Sequence, residues 1–324
     1  MAENALTELI DVHTHLIPQD YLTSMSGAGI SDVGGFPMPD WSVQTALDMM
    51  DSHGIAASLL SISAPGIDFV SGEASRLLAR SVNEEQAAIV QRYPTRFGAL
   101  AILPLPDIEA ALVELDHALG PLALDGVVLF SNIQGIYLGD PRFATLFDEL
   151  ERRRATVFVH PTPPSGFDPK VLGYPAPSVE YMFDSTRMVM SLIGSGTLRR
   201  CPHVRIVVPH GGGTVPFLAT RIARHTARFS GIEPPISLQE VLTALATLYY
   251  DLTSATHPTA LDGLLRTTAA DHLMFGSDFP FLSPGLIPEA KANISAHPGF
   301  DAAARAAITC DTARAVFPGL AARM

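Results

Sequence analysis

Short apolar runs and longer stretches of helical periodicity alternate eight times along this chain, and that alternation constrains the fold more than any other feature. The apolar runs predict strands over 9–15, 57–63, 97–103, 126–131, 156–160, 205–210, 248–252 and 273–278. Several of them, among them SLLSIS, VVLF and RIVV, are nearly continuous, which suits parallel strands buried on both faces. Helices are predicted over roughly 42–53, 71–92, 108–118, 141–154, 186–200, 214–229, 237–247 and 258–267, with a last one near 301–316. Eight such units predict an α/β fold, a (β/α)8 TIM barrel, as one domain over residues 1–324. With 47% hydrophobic and only 17% charged residues, the chain can fill a core of that size. A doubly wound open sheet is the alternative, but no G-x-G-x-x-G follows the first strand.

Two connections are too long for plain turns, 16–41 after the first strand and 161–184 after the fifth, and both are rich in Gly, Pro and Ser. Loops that follow barrel strands form the catalytic face, so these two read as lids or substrate walls, or more plainly as mobile surface loops.

The polar residues fall where such a barrel places its chemistry. In LIDVHTHL, His13 and His15 stand two apart, so on a strand their imidazoles share a face and converge on one point. Three more polar residues end later strands: His160 in TVFVHP, His210 in RIVVPHGGG and Asp278 in LMFGSDFP. All five lie at C-terminal strand ends, and together they read as one metal site assembled from four strands. A single histidine there is more often structural than a ligand; five at corresponding heights point to a site. Imidazole and carboxylate donors suit Zn2+ or Mn2+.

This order of residues over nearly the whole chain resembles the amidohydrolase superfamily: H-x-H on strand one, His on strands five and six, Asp on strand eight. The two-metal members carry a bridging carboxylated Lys or a Glu at the end of strand four, where this chain has Ser131 and Asn132 in GVVLFSN, its only lysines being Lys170 and Lys291. The resemblance therefore implies one metal ion, held by His13, His15, His160 and Asp278. HGGGTVPFLATR and FGSDFPF look like the branch of non-oxidative decarboxylases acting on aminocarboxymuconate semialdehyde, γ-resorcylate and 6-methylsalicylate. SISAPGI, GVVLFSN with GIYLGDPRF, and VFVHPT most resemble the 6-methylsalicylate members. The helix SVQTALDMMDSHGI lacks the Arg that binds a substrate carboxylate in the aminocarboxymuconate-semialdehyde enzymes, which disfavours a dicarboxylate of that kind.

What the resemblance implies is metal-dependent decarboxylation of an ortho-hydroxybenzoate, 6-methylsalicylate above others, to 3-methylphenol and CO2. Asp278 is then the proton donor to the ring, and His210 the general acid or base beside it. The metal would chelate the substrate carboxylate and ortho hydroxyl. The same ligands could instead activate water against a lactone or amide, and a catalytically silent metal-binding protein is a further alternative. Arg221 matches an Arg that in relatives can reach a neighbouring subunit's site; its plainer reading is a surface ion pair. Trp41, Phe183 and Phe281 flank the site in sequence and could sandwich an aromatic ring, although core packing is the better prior for each. Asp251 reads equally as a partner of a ligand histidine or as a buried structural carboxylate. Glycines 211–213 would let backbone approach the site closely. His257 is a weaker pocket candidate, while His53, His117, His203, His225, His272 and His297 read as surface residues.

Composition excludes other classes. A net charge of −12 with no Lys/Arg run argues against nucleic-acid binding. No apolar stretch approaches a membrane span and the N-terminus lacks the pattern of a signal peptide, so a cytoplasmic protein is expected. Cys201 and Cys310 are spaced for neither a metal nor a motif and read as reduced thiols. The low charge leaves apolar surface to cover, which suits a homo-oligomer, and the resemblance implies a homodimer or higher homo-oligomer.

Overall fold

The computed structural model describes residues 8–168, 170 and 173–324. Eight strands run parallel in chain order: β1 Ile10–His15, β2 Ala57–Ser61, β3 Phe97–Ala101, β4 Gly126–Phe130, β5 Thr156–His160, β6 Arg205–Val208, β7 Tyr249–Asp251 and β8 Leu273–Met274. Each pairs in parallel with the next. The ring closes where β1 meets the segment after β8: Val12 N donates to Phe275 O at 3.0 Å, Asp278 N to His13 O at 2.8 Å and His15 N to Phe279 O at 2.8 Å. The predicted TIM barrel is the observed fold, and its strands are buried apart from half-buried Arg205 and Tyr249. Helices alternate with the strands and cover the barrel outside, so apolar runs without polar alternation become strands buried on both faces.

Boundaries differ from the sequence expectation where local chemistry intervenes. Strand eight pairs only over Leu273–Met274 rather than 273–278: the next N–H, that of Phe275, donates to Ile308 O at 3.0 Å instead of to a strand. Strand six stops at Val208, since Pro209 has no N–H to continue a ladder. The helix expected from 186 begins at Glu180 and runs to Gly194; its N-cap is Val179, with no side-chain cap to announce it. A helix at Ile287–Ala296 escaped prediction for the same reason, with Leu286 at its N-cap. The last helix, expected near 301–316, runs over 302–316 with π-helical geometry over Ala307–Asp311 in its middle.

The two long connections are partly ordered. The first holds a helix, Gln19–Gly27, and a small hairpin pairing Asp32–Val33 with Phe36–Pro37. The hairpin tip meets the loop after β5: Ala176 N donates to Gly34 O at 2.7 Å, and a Cβ on Gly34 would lie 2.8 Å from that of Ala176. His297, expected at the surface, is buried beside Phe300 with Nε2 3.4 Å from Asp262 Oδ1. His53, His117 and His272 are half-buried, whereas His203 and His225 are exposed.

One side chain braces the catalytic end of β3 from outside. Asn83, fully buried on the helix Glu73–Arg92, donates to Ile102 O at 2.9 Å and Glu114 Oε1 at 2.8 Å and accepts from Ile102 N at 2.9 Å. Asn83→Ala strands those buried partners and is expected to lower the unfolding free energy by about 2–4 kcal/mol in urea titrations. An unchanged midpoint would show that the brace contributes nothing.

Candidate metal centre and active site

His13, His15, His160 and Asp278 meet at the C-terminal mouth of the barrel, with one donor atom from each lying within 4.8 Å of all the others. His13 Nε2 is 3.2 Å from His15 Nε2, and Asp278 Oδ1 is 3.1 Å from His15 Nε2 and 3.5 Å from His13 Nε2. Two ligands about 2.1 Å from one ion, at a tetrahedral angle, lie about 3.4 Å apart. The donors therefore stand at the spacing of a shared ion. The pairing between β1 and β2 shifts register between Asp11 and Thr14, and this irregularity re-aims His13.

The far side of each ring fixes its tautomer. His13 Nδ1 donates to Asp251 Oδ2 at 2.9 Å, His15 Nδ1 to Ser61 O at 3.3 Å and His160 Nδ1 to Pro161 O at 2.7 Å. With each Nδ1 carrying hydrogen, three Nε2 lone pairs and a carboxylate converge in a buried place, an arrangement that a cation stabilises. Electrostatics agree. Burial lowers His15, and burial reinforced by the neighbouring imidazoles takes His160 well below the usual range, so both rings are neutral donors. Burial opposes charge on His13 as well, but Asp251 and Asp278 flank it and raise it to about 9, a demand for positive charge between two carboxylates. Burial pushes Asp278 up, yet the charge of His13 and hydrogen bonds from His15 and His210 hold it well below the ordinary carboxylate range.

His210 lies at the rim of this cluster, its Nε2 3.8 Å from Asp278 Oδ2 and its Nδ1 buried with no hydrogen-bond partner among the described residues. Its backbone is left-handed, φ +55°, and its N–H donates to Asp251 Oδ1 at 3.0 Å. Asp251, for which the sequence left two readings open, is fully buried and holds His13 with one oxygen and His210 with the other. The glycines after His210 approach other elements rather than the metal donors. A Cβ on Gly213 would lie 2.2 Å from Met182 O, and one on Gly212 2.6 Å from the Tyr250 ring.

A cleft of about 310 Å³ opens above the cluster. Its walls come from the two long connections, with Val33 and Phe36 from the first and Tyr181 and Met182 from the second. Of the aromatic residues singled out by sequence, Phe281 lines the cleft and sets its ring edge-on to His15 at 5.4 Å. Trp41 and Phe183 do not line it: Trp41 is half-buried against the core, and Phe183 is 42% exposed because it faces outward from its helix. Arg221 is exposed on the helix Val215–Phe229, outside the cleft, with no ion pair among the described residues. His257 faces a neighbouring cavity instead.

Sequence reasoning missed Ser63, which lines the cleft with Oγ 3.5 Å from His160 Nε2, and Asp184 behind it. Asp184, fully buried, accepts hydrogen bonds from Ser131, from Asn132 Nδ2 at 2.9 Å and from Tyr137 OH at 2.7 Å. Ser131 and Asn132 also hold the loop after His160, through Thr162 N and Pro163 O. An acid in the middle of a helix, YMFDSTRM, is the only sequence signal for it.

A parallel barrel gathering imidazoles and a carboxylate at its catalytic mouth defines a class, the metal-centred (β/α)8 enzymes. Comparison with known proteins narrows it. Residues 10–319 match the Amidohydrolase family. The chain is 38% identical over 288 residues to decarboxylase yanB of Aspergillus niger, covering 84% of this chain and 77% of that one. It is 35% identical over 281 residues to 6-methylsalicylic acid decarboxylase acuB of Aspergillus aculeatus, covering 84% of each. A dihydroxybenzoic acid decarboxylase from Polaromonas sp. JS666, solved with bound manganese and 2-nitroresorcinol, superposes with a TM-score of 0.80 at 20% identity, over 96% of this chain and 97% of that one. The chain belongs to the amidohydrolase family, the one its strand-end motifs resemble.

Asp251→Asn removes the charge behind His13 while keeping its shape. It is expected to weaken divalent-metal affinity about 10–100-fold in a chelator competition. Affinity equal to wild type would show that Asp251 is only structural.

Proposed function

We propose that this protein is a metal-dependent decarboxylase of ortho-hydroxybenzoates, with 6-methylsalicylate as its substrate and 3-methylphenol and CO2 as products. The observation that carries this reading is the convergence of three imidazole lone pairs and Asp278 beneath a cleft of about 310 Å³, the size of a small aromatic acid's site. Its curated relatives named as 6-methylsalicylic acid decarboxylases point to the same substrate. His13, His15, His160 and Asp278 would hold one divalent ion, Mn2+ or Zn2+; the manganese of the Polaromonas enzyme favours the former. When bound, such an ion would supply Lewis acidity toward the substrate's oxygen atoms.

The chain's own groups handle the proton. Asp278 is ionised in the resting site, so it first accepts the proton of the ortho hydroxyl. It then delivers that proton to the ring carbon bearing the carboxylate, which avoids an aryl carbanion. The bond to the carboxylate breaks, its electron pair restores aromaticity and CO2 leaves. The phenolic oxygen regains a proton from solvent. His210, with Nε2 3.8 Å from Asp278 Oδ2, steadies the proton during this transfer. Phe281 presents its ring to the cleft, and Val33 and Phe36 keep water from the reacting carbon.

The protein acts as a cytoplasmic homodimer in this reading. Among the described residues no helix is long and apolar enough to cross a membrane. Phe183 and Met190 on Glu180–Gly194 and Phe217, 91% exposed on the adjoining helix, are exposed apolar side chains that a second copy would cover.

Metal-loaded enzyme should release CO2 and 3-methylphenol from 6-methylsalicylate, and Asp278→Asn or His210→Asn should each cut turnover by about 10²–10⁴. Ring-opening of a lactone without CO2 from any hydroxybenzoate would overturn the reading in favour of a hydrolase. Light scattering should give a dimer mass that Phe217→Asp shifts toward monomer; a monomeric wild type would contradict the dimer.

A further inference from the structure

A second cavity, of about 150 Å³, lies against the active-site cleft, and the two share Ser254 and Leu282 in their walls. Its remaining lining mixes the apolar side chains of Leu252, Phe275, Ile287 and Ala290 with the polar ones of His257 and Glu289. The shared wall is held firmly. Leu282 N donates to Asp278 O at 3.0 Å, which ties Leu282 to the backbone of the proposed proton carrier. Ser254 follows β7 in a left-handed conformation, φ +52°, which a residue with a Cβ adopts only under constraint. His210 and Asp278, after β6 and β8, have φ +55° and +61°, so Ser254 completes a run of strained residues at the mouth of three successive strands. The other two carry the chemistry; Ser254 has no role in it.

We propose that Leu282 and Ser254 are specificity-determining residues: they form a partition that closes the cleft against the second cavity and so limits the length of the ring substituent. This inference rests on the decarboxylase reading. The space behind the partition fits a short alkyl chain. Shortening Leu282 joins the two spaces and admits alkyl-hydroxybenzoates that the intact partition rejects. Leu282 is half-buried, so its truncation leaves the barrel core untouched.

The test compares kcat/KM for 6-methylsalicylate with that for salicylates carrying a propyl group at each open ring position. It uses metal-loaded wild type, Leu282→Ala, and Leu282→Ala combined with Ala290→Phe, which refills the second cavity. Leu282→Ala should raise the propyl-to-methyl ratio at least about tenfold for one isomer, and Ala290→Phe should take that gain back. Ser254→Gly, which removes the other half of the partition, should move the ratio in the same direction. A ratio unchanged for every isomer, or a gain that Ala290→Phe leaves intact, overturns the partition while wild-type activity on 6-methylsalicylate keeps the decarboxylase reading. Metal-loaded wild type without activity on any hydroxybenzoate overturns both.

Discussion

The carboxylate of Asp251 is the contact on which the rest of the centre depends. It is fully buried at the end of β7 and divides its two oxygens between neighbours that the chain must bring from far apart. One oxygen takes the Nδ1 proton of His13 from β1; the other takes the backbone N–H of His210 after β6 and that of Thr253 at 2.9 Å. Burial alone would raise such an acid, but the charge and hydrogen bond of His13 and the nearness of His210 hold it below the usual range. A single anion thereby sets the ring orientation of one metal-site histidine and the backbone position of the proposed proton partner. The barrel makes this possible because adjacent parallel strands end at one height.

Left-handed backbone concentrates at the same mouth. His210, Ser254 and Asp278 occur one after each of β6, β7 and β8, where extended chain must turn sharply out of the sheet. Backbone in that region costs on the order of 1–3 kcal/mol per residue, and the surrounding hydrogen bonds must offset it. Asp278 N bonding His13 O and His210 N bonding Asp251 are two such restraints. The turns let these residues leave the strand direction where the sheet ends.

Much of this was legible in the sequence because it depends on period and position. Continuous apolar runs gave the strands, and their last polar residues gave His13, His15, His160, His210 and Asp278, which the structure brings together. What was not legible depends on contacts between distant segments. Asp184 looks like any acid in a helix, and its role as acceptor for Ser131, Asn132 and Tyr137 exists only once three loops meet. Trp41 and Phe183 are near the site along the chain, but the helix and hairpin between turn them to other faces. His297 is polar and lies after a helix, the usual mark of a surface residue, yet the packing of Phe300 encloses it. Helices whose first residue is Val179 or Leu286 at the cap carry no boundary signal of their own.

In the proposed function the cleft depends on one divalent ion, for which His13, His15, His160 and Asp278 are the ligands. The most direct test of that dependence is a titration of metal-free protein with Mn2+, following CO2 release from 6-methylsalicylate against equivalents of ion added. Release should be nil at zero metal, rise linearly and break at one ion per chain. Release without metal, or a break at two, would contradict that dependence.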